Sequence, residues 1–350
     1  MNRRHFLQRT GTLGLAIGLP SIAGAAPEPP IADAHSHIGL HNPSMLRGSL
    51  KAQMLDAGVT LLSWNISGDG RWIARTSQGI KQQGVPASGA QGAYYSGKLS
   101  EMRAYLAGDG LRFVEGPADI DAAMAGSPRV VIAVEGAVFV ADGLDLLDKA
   151  YADGLRHVQL VHYIRNALGD FQTESPEHGG MTQLGVDTIK ACNRLGILVD
   201  LAHATEPVVD KALEVSTTPI IWSHSSITSA RYTWTQGSNL SRLLYIDYAK
   251  KIAQRGGAVG LWSLRNTVKS SPEGYADELM RMADVIGPEH VMFGTDMDGV
   301  GKFGVMDSLG DLRSVADLLK KRGVDDTTLH SICFGNYARC LRTAIEGRKG

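Results

Sequence analysis

Eight short apolar runs, each preceded or followed by a helical pattern, constrain this chain more than any other feature. They are Ile31–His35, Val59–Ile66, Val130–Glu135, His157–His162, Ile197–His203, Pro219–His224, Gly257–Ser263 and His290–Asp296. Most lack the polar alternation of a half-buried strand, so they read as parallel strands covered on both faces. Helices are expected at Ser49–Ala57, Leu99–Gly108, Ala118–Ala125, Gly143–Ala152, Leu184–Leu195, Pro207–Val215, Arg242–Gln254, Tyr275–Val285, Asp311–Lys321 and Thr327–Glu346. In Leu184–Leu195 the apolar residues share one face, and Gly196 ends the pattern. Eight such units predict a (β/α)8 TIM-like barrel with its active site at the C-terminal strand ends. A doubly wound open sheet would carry a Gly-rich dinucleotide loop after its first strand, and none follows Ile31–His35. With 43% hydrophobic residues in 350, the core of one such barrel can form, and a single domain is expected over residues 26–350.

The first residues do not fit this pattern. Arg3-Arg4 followed by Phe6-Leu7 resembles a twin-arginine export signal. Thr10–Pro27 is uncharged, and Ala23-Gly24-Ala25 suits a cleavage site, so residues 1–25 are expected to be a removed signal. Its glycines and prolines make it a poor membrane anchor. The expected location is therefore a bacterial periplasm or the medium. Cys192, Cys333 and Cys340 read as buried thiols, with no Cys-x-x-Cys motif. A net charge of −1 gives no support to a nucleic-acid surface.

The strand ends carry the chemistry. The first ends His35-Ser36-His37, the third at Glu135, the fourth at His162, the fifth at His203, the sixth at His224 and the eighth at Asp296. In a barrel these ends ring one mouth, so five of the eleven histidines converge there with two carboxylates. Any one of them alone reads equally well as a hydrogen-bonded structural residue. Buried together without a cation they would leave polar groups unpaired at a cost of many kcal/mol. Imidazole and carboxylate are standard ligands of divalent zinc, which resolves the conflict. His35 and His37, two apart on an extended strand, point to the same side and can reach one ion. The remaining six histidines, His5, His41, His157, His178, His290 and His330, read as structural or exposed.

These residues sit in motifs that resemble the membrane (renal) dipeptidases, peptidase family M19, of the amidohydrolase superfamily. The resemblance runs from about Val130 to Cys340. It is carried by Val134-Glu135-Gly136, Leu160-Val161-His162, Met181–Gly185, Asn193–His203, Trp222–Ser226, Gly294–Gly299 and Gly335-Asn336. It implies two divalent metal ions, zinc by expectation, with His35 and His37 on the first and His203 and His224 on the second. Glu135 would bridge them. Asp296 would lie beside the first metal as general base and then acid, and His162 would bind the substrate carbonyl or its oxyanion. The implied reaction is hydrolysis of a dipeptide by a metal-activated water. Alternatives are hydrolysis of an N-acyl amino acid, lactone or ester at the same site, or a periplasmic binding protein without turnover.

Three departures from the family pattern stand out. The first strand carries His-x-His where the family has His-x-Asp. Two arginines, Arg231 and Arg242, compete for the family's carboxylate clamp; spacing to Gly256-Gly257 favours Arg242, which otherwise reads as a solvated helix-start charge. The loop after the fourth strand reads His162-Tyr163-Ile164-Arg165-Asn166. The expected partners are a small dipeptide-like substrate and the twin-arginine export machinery, with a homodimer left open and no nucleic acid.

Overall fold

The computed structural model describes residues 28–349 except Gln78. The signal expected at residues 1–25, with His5, lies outside them. All eight expected strands are present, here named β1 (Ile31–Ser36), β2 (Val59–Ser67), β3 (Arg129–Glu135), β4 (Leu155–Gln159), β5 (Leu198–Asp200), β6 (Ile220–Ser225), β7 (Ala258–Leu261) and β8 (Val291–Phe293). They pair in parallel, and their order around the ring is their order along the chain. The ring closes between β8 and β1, where Asp296 N donates to His35 O at 3.0 Å and His37 N to Met297 O at 2.8 Å. The fold is therefore the TIM-like barrel that the β-then-α pattern predicts. Helix starts follow local capping chemistry: Ser49, Thr182 and Ser271 each accept a backbone N–H of the first turn.

A register irregularity aims the first two histidines. Ala32 pairs with Leu61 and Asp33 with Leu62, but Ser36 pairs with Trp64, so three steps of β1 match two of β2. This is a β-bulge, which changes which face successive side chains occupy. Ala32 packs with Leu61 on the barrel floor. Beyond the bulge, His35 and His37 turn inward to meet Asn65.

The interior is layered. Its floor is apolar, built from Ala32, Leu61, Val131, Leu198, Ile221, Ala258 and Met292, and closed by Phe334, Tyr337 and Leu341 of the last helical segment. Above it lies a hydrogen-bonded layer. His157 there bonds Ser63 Oγ at 3.0 Å, Tyr337 Oη at 3.2 Å and Asp200 Oδ2 at 3.3 Å. His157 is thus structural, as expected. The mouth above is lined by the histidine and carboxylate groups.

Several boundaries differ from expectation. β4 and β5 stop before His162 and His203. Asp200 Oδ1 takes the N–H groups of Ala202 and Ser223, which turns the chain out of the ladder and leaves His203 at φ 73°. The expected helix Leu99–Gly108 begins earlier, as Ala90–Gly108. Gly92 and Gly97 lower its helix propensity, but Tyr95 stacks on Phe139 with centroids 4.0 Å apart and anchors the extra turns. The helix expected at Arg242 starts at Ile246, because Leu244 and Tyr245 pair with Ile227 and Thr228. The last helix is interrupted by a π turn at Ser331–Gly335. A hairpin, Ile73–Thr76 with Gly79–Gln82, was not expected at all. All three cysteines are free and buried. Among the described residues no helix is long and apolar enough to cross a membrane.

Two glycines set how closely three strands approach. A Cβ on Gly260 would lie 1.8 Å from the carbonyl oxygen of Ser223, and one on Gly294 1.7 Å from it. Gly294→Ala is therefore expected to destabilise the metal-free protein by about 1–3 kcal/mol or more, read from its thermal unfolding. The control Gly97→Ala, on an exposed helix position with open space, should raise stability by up to about 1 kcal/mol. Equal effects of the two would contradict the packing argument.

Candidate metal centre

Glu135 closes β3 with its carboxylate in the centre of the mouth, 3% exposed. Its Oε1 lies 3.1 Å from His203 Nε2, 3.4 Å from His224 Nε2 and 3.5 Å from His35 Nε2. Its Oε2 lies 3.1 Å from both His37 Nε2 and His162 Nε2. The Nε2 atoms of His35 and His37 are 3.1 Å apart, and so are those of His203 and His224. Asp296 Oδ1 stands 3.6 Å from His37 Nε2 and 3.9 Å from His35 Nε2. Three groups can each gather a cation: His35, His37 and Glu135; Glu135, His203 and His224; and His35, His224 and Asp296. All seven strand-end residues singled out in the sequence thus come together.

Hydrogen bonds on the far sides orient three of the rings. His37 Nδ1 donates to the carbonyl of Asn65 at 2.7 Å, because a carbonyl only accepts. The hydroxyl of Ser223 sits 3.1 Å from His35 Nδ1 and 2.8 Å from His224 Nδ1, and the amide Nδ2 of Asn65 sits 3.0 Å from His35 Nδ1. The Nε2 atoms thus turn toward one another and toward a carboxylate. That arrangement suits cations placed between them, with the outer hydrogen bonds orienting the ligands. The donor set of imidazole nitrogen and carboxylate oxygen fits divalent metal ions of the zinc type. Burial holds His35, His203 and His224 well below the usual imidazole range, so they are neutral lone-pair donors at pH 7. His37 differs. Burial pulls it down, but its hydrogen bond and charge pairing with Glu135 outweigh this and push it up to about 9.

His162 faces the same carboxylate from a loop. Its Nδ1 donates to Asp69 Oδ1 at 2.7 Å, and Asp69 also accepts the N–H of Tyr163 at 3.0 Å. Burial lowers the His162 pKa, but Asp69 and Glu135 overcome it and raise the net value. Asp296, 9% exposed, sits in the left-handed region at φ 54°. Burial first, then the charge of Glu135, pushes its carboxyl up to about 7. Strained backbone at His203 and Asp296 is of the kind that accumulates where a site overdetermines geometry.

The two arginines separate cleanly. Arg231 is exposed, ion-paired to Glu206 and stacked over Tyr245. Arg242 is 2% exposed and lines the mouth. It does not begin a helix as a solvated charge. Its guanidinium donates to His224 Nε2 at 3.1 Å and to Tyr163 Oη at 3.3 Å, and lies over the Trp262 ring. Its Nε has no hydrogen-bond partner among the described residues.

Four residues of the site were not foreseen. Asp69 follows β2 in Ser67-Gly68-Asp69-Gly70; reading the second strand's end as the others were read would have found it. His41 stacks on His37 with centroids 4.6 Å apart, and Asp298 accepts the N–H of His41 at 2.9 Å. Ser223 and these two carry no spacing signal, since their roles depend on contacts between distant strands.

Comparison with known proteins agrees with this geometry. The membrane dipeptidase family, peptidase family M19, matches residues 99–349. Dipeptidase verJ of Clonostachys rogersoniana is 32% identical over 224 residues, covering 62% of this chain and 55% of that protein. Dipeptidase 3 of Mus musculus is 28% identical over 233 residues, covering 63% and 45%. The chain thus spans about half the length of these curated relatives. Among solved structures, a metallopeptidase from Rhodobacter sphaeroides, liganded with a phosphinate mimic of the dipeptide L-Ala-D-Ala, superposes with a TM-score of 0.74 at 20% identity, over 91% of this chain and 99% of that one. An amidohydrolase from Pseudomonas aeruginosa gives 0.72 at 17%, over 91% and 97%. These two likenesses are of fold. The sequence match, which takes in Glu135, His162, His203, His224 and Asp296, goes further: the chain belongs to the membrane dipeptidase family.

Proposed function

We propose that this protein is a metal-dependent dipeptidase that hydrolyses the peptide bond of a small zwitterion. The observation that carries the substrate reading is Arg242. A guanidinium buried to 2% exposure, with no carboxylate partner among the described residues, carries a desolvation penalty of several kcal/mol. It borders the metal centre, so a carboxylate arriving with the substrate relieves that penalty and fixes the adjacent peptide bond over the centre. The curated relatives named as dipeptidases support the same class.

His35 and His37 would hold one ion, His203 and His224 the other, with Glu135 between them and Asp296 beside the first. Two such ions, zinc by their donor set, supply an activated water and polarise the scissile carbonyl. The chain's own groups do the rest. Asp296, its carboxylate affinity for a proton raised by burial, takes the proton of the attacking water and delivers it to the leaving amine. His162, oriented by its Nδ1 hydrogen bond to Asp69, would donate from Nε2 where the tetrahedral oxyanion forms. Tyr163 and Trp262 flank the guanidinium of Arg242 and keep it aimed at the carboxylate.

Metal analysis joined to a dipeptide panel tests the reading. About two zinc per chain and chelator-sensitive cleavage are expected, and Asp296→Asn should lower kcat by at least about a hundredfold with metal content retained. Two bound zinc ions without cleavage of any dipeptide would remove the substrate claim and leave the centre. Arg242→Ala should raise KM for dipeptides by about tenfold or more, with a smaller effect on an ester lacking a free carboxylate. A loss confined to kcat would argue against the clamp.

Metal uptake should also release protons. His37, pushed up to about 9, is protonated at pH 7.5, and a metal ligand must be neutral. Calorimetry in buffers of different ionisation enthalpy should therefore show release of about one proton per chain at pH 7.5, fading as the pH rises through 9. Uptake without release would show that His37 is already neutral in the metal-free protein.

A further inference from the structure

A second β-bulge places His224 in the mouth. Trp222 of β6 pairs with Val259 of β7 and Ser225 with Leu261, so three steps of β6 match two of β7. Neighbours on a regular strand face opposite sides, but here Ser223 and His224 together oppose Gly260, and the bulge lets both serve the interior. Ser223 thus lies behind His224, its hydroxyl 2.8 Å from Nδ1. The same oxygen is 3.1 Å from Nδ1 of His35, which sits in the bulge of β1. The two rings lie side by side with centroids 3.9 Å apart.

The backbone of Ser223 is fixed without help from either ring. Its N–H donates to Asp200 Oδ1 at 2.9 Å. Its carbonyl oxygen packs where a Cβ on Gly260 or Gly294 would lie 1.8 or 1.7 Å away. The residue is fully buried, and its hydroxyl meets the two Nδ1 atoms. It is therefore a stationary polar point shared by rings from two strands.

The four rings assigned to the ions are unequally supported. A ring that binds an ion through Nε2 is oriented by the group that meets its Nδ1. His37 Nδ1 has the carbonyl of Asn65 at 2.7 Å. His35 Nδ1 has the amide of Asn65 at 3.0 Å as well as Ser223. His224 Nδ1 has Ser223, and His203 Nδ1 has no partner among the described residues. The pair His203 and His224 thus rests on one outer hydrogen bond, whereas the pair His35 and His37 keeps Asn65 if that bond is lost. We infer that Ser223 is a positioning residue of the metal centre, whose hydroxyl orients His224 and sets the affinity of the His203–His224 site more than that of the His35–His37 site. The inference rests on the two-ion reading above and adds which residue behind the ligands governs which ion.

The test titrates the full chain with zinc against a competing chelator and needs no turnover. Two backgrounds isolate the sites: His37→Ala leaves the His203–His224 site, and His203→Ala leaves the His35–His37 site. Adding Ser223→Ala should weaken zinc at least about tenfold in the first background and less than about threefold in the second, tenfold being the lower end for loss of an outer partner of a ligating histidine. A purely structural role for Ser223 would lower thermal stability and weaken zinc alike in both backgrounds. Equal losses in the two, or no loss in the first, therefore overturn the inference while the two-ion reading stands. If the chain without these substitutions binds one zinc ion, that reading falls, and Ser223→Ala alone then decides: a loss of about tenfold or more for that ion sustains the positioning role, and a smaller one overturns it. Binding of no zinc overturns both.

Discussion

The carboxylate of Glu135 among five imidazoles is the arrangement on which the rest of the structure depends. Each oxygen has at least two ring nitrogens within 3.5 Å, all in a nearly dry mouth. Such a cluster suits bound cations and needs a stiff frame to hold it. The frame is the polar layer beneath. Asp200 ties β5 to β6 through Ser223 N, and Ser223 in turn faces both His35 and His224. The carbonyl of Ser223 then packs where Gly260 and Gly294 leave no side chain. One strand position thus links candidate ligands from β1 and β6.

Around that centre the mouth has two unlike flanks. The flank of β6 and β7 supplies Arg242, its guanidinium over the Trp262 ring. The flank of β1 and β2 supplies apolar walls. The family match begins at Leu99, so Leu46, Trp64 and the hairpin Ile73–Gln82 lie before it. His35 and His37 lie before it as well, while Glu135, His162, His203, His224 and Asp296 lie within it.

Much of this was legible in the sequence because strand ends follow a simple rule. An apolar run buried on both faces cannot carry charge, so the first His, Glu or Asp after it marks the mouth. That rule located His35, His37, Glu135, His162, His203, His224 and Asp296. It misplaced the ends of β4 and β5, where Asp200 turns the chain out of the ladder before His203. It also gave no view of Ser223 or His41, whose importance comes from strands far apart in the chain. The β1 bulge was invisible for the same reason: it exists only as a mismatch with β2. Arg242 was ambiguous because helix-start charges are common, and only its burial beside His224 resolves it.

The closed floor of the barrel has a consequence for the order of events in folding. Phe334, Tyr337 and Leu341 seal the bottom from the far end of the chain, and the ring is joined by residues as distant as His35 and Asp296. Contacts between such separated positions form late, after most of the loop-closure entropy has been spent. The groups of the candidate metal centre can therefore meet only when the chain from β1 to β8 has come together. A cation held by these groups would then be captured at a terminal step of folding.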